Sequence, residues 1–294
     1  MLKIVIFVLH MLFFYNTAFA APEHLTVATL NIKFYGRSIT PSQQQDTGYS
    51  DDIRDEALKT YINNFLSNAD IITFQEITDV NGFKKNVLNP EFTCQTYSHK
   101  DPKHLSVLLC YKEEKYDFIK VDWDDNYAIE KATVGRNIRP IIHGLLANKS
   151  GEILTYIAAV HLKASKQYSS VRKKQMEILA EDLTKLNSDI PVLVLGDFNT
   201  HNTDLVDFKN IFNESNIDID RVINTNKYTF RVPTYKNKFD YIWTSRHFYL
   251  ESPIQTSGIC RDDTANFDEY TSVEKYNQEI SDHCYLKAEF ILER

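Results

Sequence analysis

The sequence predicts an α+β protein in which two β-sheets pack together with helices outside. Three observations carry this. Short segments rich in β-branched and aromatic residues outnumber helical ones. Apolar residues at three- and four-residue spacing occur only at intervals, over residues 52–66, 171–186 and 205–212. Residues 192–195, Val-Leu-Val-Leu, are apolar without interruption, which marks a strand buried on both faces. That run ends at Gly196 and delivers Asp197 and Asn199, two apart and so on one side of an extended backbone.

Taken in order, residues 1–20 stand outside the fold. Lys3 precedes an apolar stretch, and Ala18-Phe19-Ala20 has the small-x-small pattern of a cleavage site. This reads as a secretory signal peptide cut after Ala20, and its apolar run is short for a membrane span. The expected product is an exported protein, periplasmic or secreted, with no stable membrane association. Residues 21–294 contain no linker and no internal repeat, so a single domain and a monomer are expected. Loss of Lys3 takes the net charge from −7 to −8. Such a chain has no global field for nucleic acid, which argues against a surface-wide clamp but leaves room for a local basic groove.

Residues 25–32 form the first strand, with Asn31 near its end. A polar loop over residues 36–50 leads to a helix with Leu58, Tyr61, Ile62, Phe65 and Leu66 on one face. Asp51 or Asp52 suits its start. Residues 70–76 are a strand ending in Gln75-Glu76. Strands follow at 92–97, 105–111, 116–121, 140–146 and 154–161, the last carrying His161. The helix at 171–186 places Met176, Leu179, Leu183 and Leu186 inward. After the strand begun at Pro191, residues 205–212 are helical, residues 239–244 form a strand carrying Asp240, and 285–292 is the last strand. It is entered through Ser281-Asp282-His283-Cys284. The four cysteines allow three pairings, and an even count in an exported chain points to two disulfides. Cys94–Cys110 and Cys260–Cys284 are favoured, since each joins neighbouring segments. Without Cys-x-x-Cys spacing, a zinc site is not expected.

Chemically capable residues thus stand at five strand ends or edges, a recurring way of mounting a site on a rigid scaffold. Asn31, Gln75-Glu76, His161-Leu162-Lys163, Gly196-Asp197-Phe198-Asn199, Phe239-Asp240-Tyr241 and Ser281-Asp282-His283 occur in this order. Together they resemble the endonuclease/exonuclease/phosphatase superfamily, the deoxyribonuclease I-like proteins, over nearly all of residues 21–294. The resemblance implies a four-layered α/β sandwich of two mainly antiparallel sheets flanked by helices. It also implies hydrolysis of a phosphate ester with Mg²⁺, for which Mn²⁺ or Ca²⁺ can substitute.

On this reading Glu76 is the main metal ligand, helped by Asn31 and Asp282; a carboxylate oxygen suits Mg²⁺, which needs few protein ligands. Asp197 orients or deprotonates the attacking water, and Asn199 holds the phosphate. His161 donates to a phosphate oxygen. His283 contacts the scissile phosphate or acts as acid or base, tuned by Asp240. Asp282 points the other way on an extended backbone and is a poor partner for its neighbour. The base is either Asp197 or His283. Arg139 resembles the family's phosphate-binding arginine, a role that suits a guanidinium. Lys163, Lys166, Arg172, Lys173 and Lys174 form either a basic lip for a polyanion or the solvated face of the next helix.

Lys33 stands where abasic-site repair enzymes of this superfamily carry an acid, which argues against repair. The expected function is an exported endonuclease cutting DNA, and RNA as a second substrate. The alternative is a phosphodiesterase or phosphatase acting on phospholipid head groups or small phosphorylated molecules, since surrounding loops select the substrate.

Overall fold

In the computed structural model the described residues are 22–36, 51–98, 104–133, 138–261, 270 and 272–293. The expected signal peptide, most of the polar loop after residue 36, and Arg136 lie outside them. The strands are β1 (Glu23–Tyr35), β2 (Ile71–Ile77), β3 (Phe92–Thr96), β4 (Ser106–Lys112), β5 (Tyr116–Ile119), β6 (Ala128–Ile129), β7 (Ile141–Asn148) and β8 (Ile153–His161). They continue with β9 (Val192–Asp197), β10 (Ile219–Arg221), β11 (Phe230–Val232), β12 (Tyr235–Asn237), β13 (Asp240–Ser245), β14 (Phe248–Leu250) and β15 (Leu286–Leu292). The helices are α1 (Asp51–Phe65), α2 (Val80–Asn86), α3 (Ser169–Leu183), α4 (Asn202–Glu214), α5 (Gly258–Arg261) and α6 (Val273–Glu279).

One sheet runs β14-β15-β1-β2-β4-β3, the other β10-β13-β9-β8-β7-β5 with β6 beside β7, and β11-β12 form a separate hairpin. Pairing is antiparallel except for β1–β2 and β8–β9, which are parallel. Each parallel pair is bridged by a helix, α1 or α3, as a parallel connection requires.

Strand alternation builds the layers. Leu25 and Val27 of β1, Ile71 of β2, Leu193 and Leu195 of β9, and Ile242 of β13 fill the space between the sheets. Their neighbours face outward. Ala28, Leu30, Ile72 and Phe74 meet Leu58 and Ile62 of α1. Tyr156, Ala158 and Val194 meet Met176 and Leu179 of α3 and Phe208 of α4. The result is helix, sheet, sheet, helix: the expected four layers.

Two disulfides tie the periphery. Cys94 and Cys110 face one another across β3 and β4, and Cys260 of α5 joins Cys284, next to His283.

Candidate active site

The same alternation decides which polar side chains point between the sheets. Asn31 follows Leu25 and Val27 at even spacing, Asp197 follows Leu193 and Leu195, and Asp240 precedes Ile242 by two. His161 stands in register with Asp197 across β8 and β9, and Asp240 with Asp197 across β9 and β13. These side chains therefore meet at one end of the inter-sheet space. Glu76 breaks the rule: alternation would send it outward with Ile72 and Phe74. Its backbone has φ +66°, a left-handed turn that reverses the pleat, and its carboxylate lies 3.6 Å from His161 Nε2.

Asn31 Nδ2 donates to Asp197 Oδ2 at 2.9 Å and to Glu76 Oε1 at 3.2 Å, while Asn31 Oδ1 accepts from the Lys33 amide at 3.0 Å. His161 Nε2 is also 3.6 Å from Asp197 Oδ2, and neither ring nitrogen has a hydrogen-bond partner although the residue is buried. His283 Nε2 lies 3.8 Å from the same Asp197 oxygen, and its Nδ1 is 2.8 Å from Asp240 Oδ2. Asp282 turns away from its neighbour, its Oδ2 3.3 Å from Lys33 Nζ. The Asn199 backbone N–H donates to Asp197 Oδ1 at 2.8 Å, and its side-chain Nδ2 donates to Leu162 O at 3.1 Å.

Five backbone positions around this cluster have positive φ: Lys33, Phe34, Glu76, Gly196 and Asn199. Such geometry costs free energy unless surroundings over-determine it, and it gathers at functional sites.

The electrostatics separate the titratable groups. Burial, then the charges of Arg139 and His283, push His161 well below the usual histidine range, which favours the neutral imidazole. Burial alone would also lower His283, but the carboxylates of Asp240 and Asp197 outweigh it and raise the ring to about 10. Burial lifts Asp197 to about 7, opposed by His283 and assisted by Asp240. Burial and then Asp282 raise Glu76. Burial lowers the Arg139 guanidinium, while Glu76 and Asp197 oppose this, so the cation lies within their field.

Glu76, His161 and Asp197 each bring a ligand atom within 4.8 Å of the others, as do Asp197, Asp240 and His283. Crowded carboxylates and an unpartnered buried imidazole nitrogen fit a divalent cation.

The basic stretch after His161 divides. Arg172 is fully buried: its Nε and Nη2 bind Asp204 Oδ2 at 3.1 and 2.8 Å, and its Nη1 caps the carbonyls of Lys163 and Ser165. It is therefore withdrawn from any lip, because only a paired guanidinium can be buried. Lys163 Nζ sits 4.9 Å over the Tyr168 ring, and Lys174 pairs with Glu177.

Several neighbours support the site without reacting groups of their own. Thr229 Oγ1 accepts from the amides of both Phe239 and Asp240, fixing the start of β13. Phe230 and Phe239 pack against the His283 ring at 5.0 and 6.2 Å. Thr29, Thr73 and Gln75 form a buried hydrogen-bond network on β1 and β2, with Gln75 next to Glu76.

Residues 28–283 match the Endonuclease/Exonuclease/phosphatase family. The chain belongs to the endonuclease/exonuclease/phosphatase family. It is thereby a metal-dependent phosphoric ester hydrolase. No curated protein matches the sequence. Solved structures similar in fold include a Bacteroides thetaiotaomicron protein of this family, 18% identical, with 93% of this chain and all 100% of that chain covered and a TM-score of 0.64. The human Nocturnin catalytic domain with bound sulfate is 18% identical, with 92% and 97% covered and a TM-score of 0.62. TDP2 from D. rerio, solved with a single-strand DNA product, is 16% identical, with 91% and 98% covered and a TM-score of 0.61. At these identities the likeness is one of fold.

Proposed function

We propose that this family member is an exported, Mg²⁺-dependent endonuclease that hydrolyses the phosphodiester bonds of DNA. The observation that carries this reading is Asp197, a buried carboxylate set between His161 and His283, each with a nitrogen within 4 Å of one Asp197 oxygen. Supporting it are the DNA product held by the D. rerio TDP2 structure and the sulfate, a phosphate-like anion, held by Nocturnin.

Glu76, with Asn31 and Asp282, would hold Mg²⁺, whose charge would offset that of the reacting phosphate. The other steps belong to the side chains. Asp197, with a pKa near neutrality, takes a proton from the water whose oxygen attacks phosphorus. His161 donates from its free nitrogen to a non-bridging oxygen. Arg139 adds positive charge on the same side, and Asn199 fixes the Asp197 carboxylate through its amide. As the phosphorus–oxygen bond breaks, His283 gives its proton to the leaving oxygen. Asp240 keeps that imidazole charged and oriented. Both groups are raised, and the one with the lower pKa, Asp197, is assigned as base and the one with the higher, His283, as acid.

Export is supported by the two disulfides. The acidic net charge, with Arg172 removed from the surface, favours a second reading: hydrolysis of lipid head groups or small phosphoesters. One panel separates the two. Mature protein with Mg²⁺ is offered plasmid DNA, RNA, bis-p-nitrophenyl phosphate and phospholipid vesicles, with and without chelator. Chelator-sensitive nicking of plasmid supports the nuclease. Turnover of lipid alone transfers the assignment to the second reading.

A further inference from the structure

Lys33 is held in place from two directions. Its backbone is left-handed at φ +48°, and Phe34 follows at φ +54°. Two successive non-glycine residues of this kind are costly unless fixed from outside. The fixing group is Arg54, a buried guanidinium on α1. Its Nη1 donates to Lys33 O at 3.1 Å and its Nη2 to Ile32 O. The same Nη2 reaches Ile280 O at 3.0 Å, two residues before Asp282. One side chain therefore clamps both the turn that carries Lys33 and the segment that carries Asp282. The turn is further held by Asn31 Oδ1, which accepts the Lys33 amide. The ammonium arrives 3.3 Å from Asp282 Oδ2, with both side chains 16% exposed. The charge of Asp282 reaches Glu76, so Lys33 neutralises a carboxylate that belongs electrically to the metal centre.

We propose that Lys33 is a built-in cation of the active site: clamped by Arg54 onto Asp282, it opposes the divalent metal there and weakens its binding. This rests on the metal-dependent reading above. A single positive charge a few ångströms from a dication repels it even at a dielectric close to that of water. Lys33 consequently keeps metal affinity low and leaves Glu76 as the dominant acidic ligand on this side. The weaker, more exchangeable ion that results is a property of this chain's own turn.

The test is calorimetric titration of metal-free protein with Mn²⁺ and Mg²⁺, with no substrate present. Wild type is compared with K33M, which removes the charge, and K33R, which keeps it. The K33M protein should bind metal about tenfold more tightly, as expected for one charge removed at this range, while K33R stays near wild type. Melting curves without metal establish that each variant folds; should K33M not fold, K33N, whose side chain tolerates the left-handed backbone, replaces it. Equal or weaker binding by the uncharged variant overturns the inference alone. Failure of every protein, wild type included, to bind either metal overturns the metal reading and the inference with it.

Discussion

Replacing Gly196 with alanine tests whether the backbone beneath Asp197 is as constrained as its surroundings imply. Gly196 has φ +141°, and a Cβ built there would stand 2.1 Å from the Val160 carbonyl oxygen. The obstacle is backbone of the adjacent parallel strand β8, so no side chain can swing aside. The disfavoured φ costs about 1–3 kcal/mol and forced overpacking a similar amount, giving about 2–6 kcal/mol in all. At about 2–4 °C per kcal/mol for a large domain, the melting temperature should fall by about 4–24 °C. Spreading β8 from β9 also moves Asp197 relative to His161, and a displacement of about 1 Å can reduce turnover about a hundredfold. Gly151 supplies the control: its φ is +85°, but nothing lies within 4 Å of an added Cβ. Gly151→Ala should cost only the backbone strain, about 1 kcal/mol, and leave turnover intact. Urea denaturation and metal-dependent phosphodiester hydrolysis read both effects. If Gly196→Ala costs no more than Gly151→Ala, the close approach of β8 and β9 is refuted.

Three further outcomes are expected. In metal-free protein, histidine NMR should place His283 far above the ordinary range, and Asp240→Asn should lower it by about 1–3 units, since a carboxylate at 2.8 Å is lost. Because the folded pKa is raised, this imidazolium stabilises the fold fully below pH ~6.5 and progressively less as pH rises toward about 10; the variant should lose that slope. Arg172→Ala leaves Asp204 buried and unpaired and should cost about 3–5 kcal/mol in denaturant unfolding, whereas Lys173→Ala should stay within about 0.5 kcal/mol. A mild Arg172 effect would contradict its structural assignment. Reduction should remove about 3 kcal/mol per disulfide, from loops closed by cysteines 16 and 24 residues apart, and lower the melting temperature. Unchanged melting in reductant, or four free thiols by mass spectrometry in protein purified without reductant, would contradict the pairing.

The parts of the fold written in the sequence are those with a period. The strands holding Leu25, Val27, Leu193 and Leu195, and the helix holding Leu58 and Ile62, lie close to where alternation and helical spacing put them. In the candidate site, Asn31, His161, Asp197 and Asp240 have the parity that turns them to the inter-sheet face, whereas Glu76, Asn199, Asp282 and His283 are marked in the sequence only by residue type and by the order of the motifs. The elements that the sequence does not announce are α2, α5, α6, β6, β10, β11, β12 and β14, which span two to seven residues and carry no clear periodic pattern. Helix α2 is set by Asp79 capping Gly82, and β11–β12 by pairing across a short turn. Long-range polar contacts were equally hidden. Nothing local says that Arg54 holds carbonyls at residues 32, 33 and 280, or that Arg172 is buried against Asp204. A charged residue on a helix reads as solvent-facing until its distant partner is known. Glu76 was chosen for its chemistry, yet alternation alone points it outward; its left-handed backbone is visible only in the structure.

The most direct measurement is nicking of supercoiled plasmid by the protein comprising residues 21–294, assayed with Mg²⁺, with chelator, and with His283→Ala at equal folded concentration. Cleavage should require the metal, stop on chelation, return with excess Mg²⁺, and fall by a factor of at least ~100 in the variant, the contribution of one positioned acid. Cleavage that persists in chelator, or near-normal activity of His283→Ala, would contradict the assignment of this site as a metal-dependent centre with His283 as its acid.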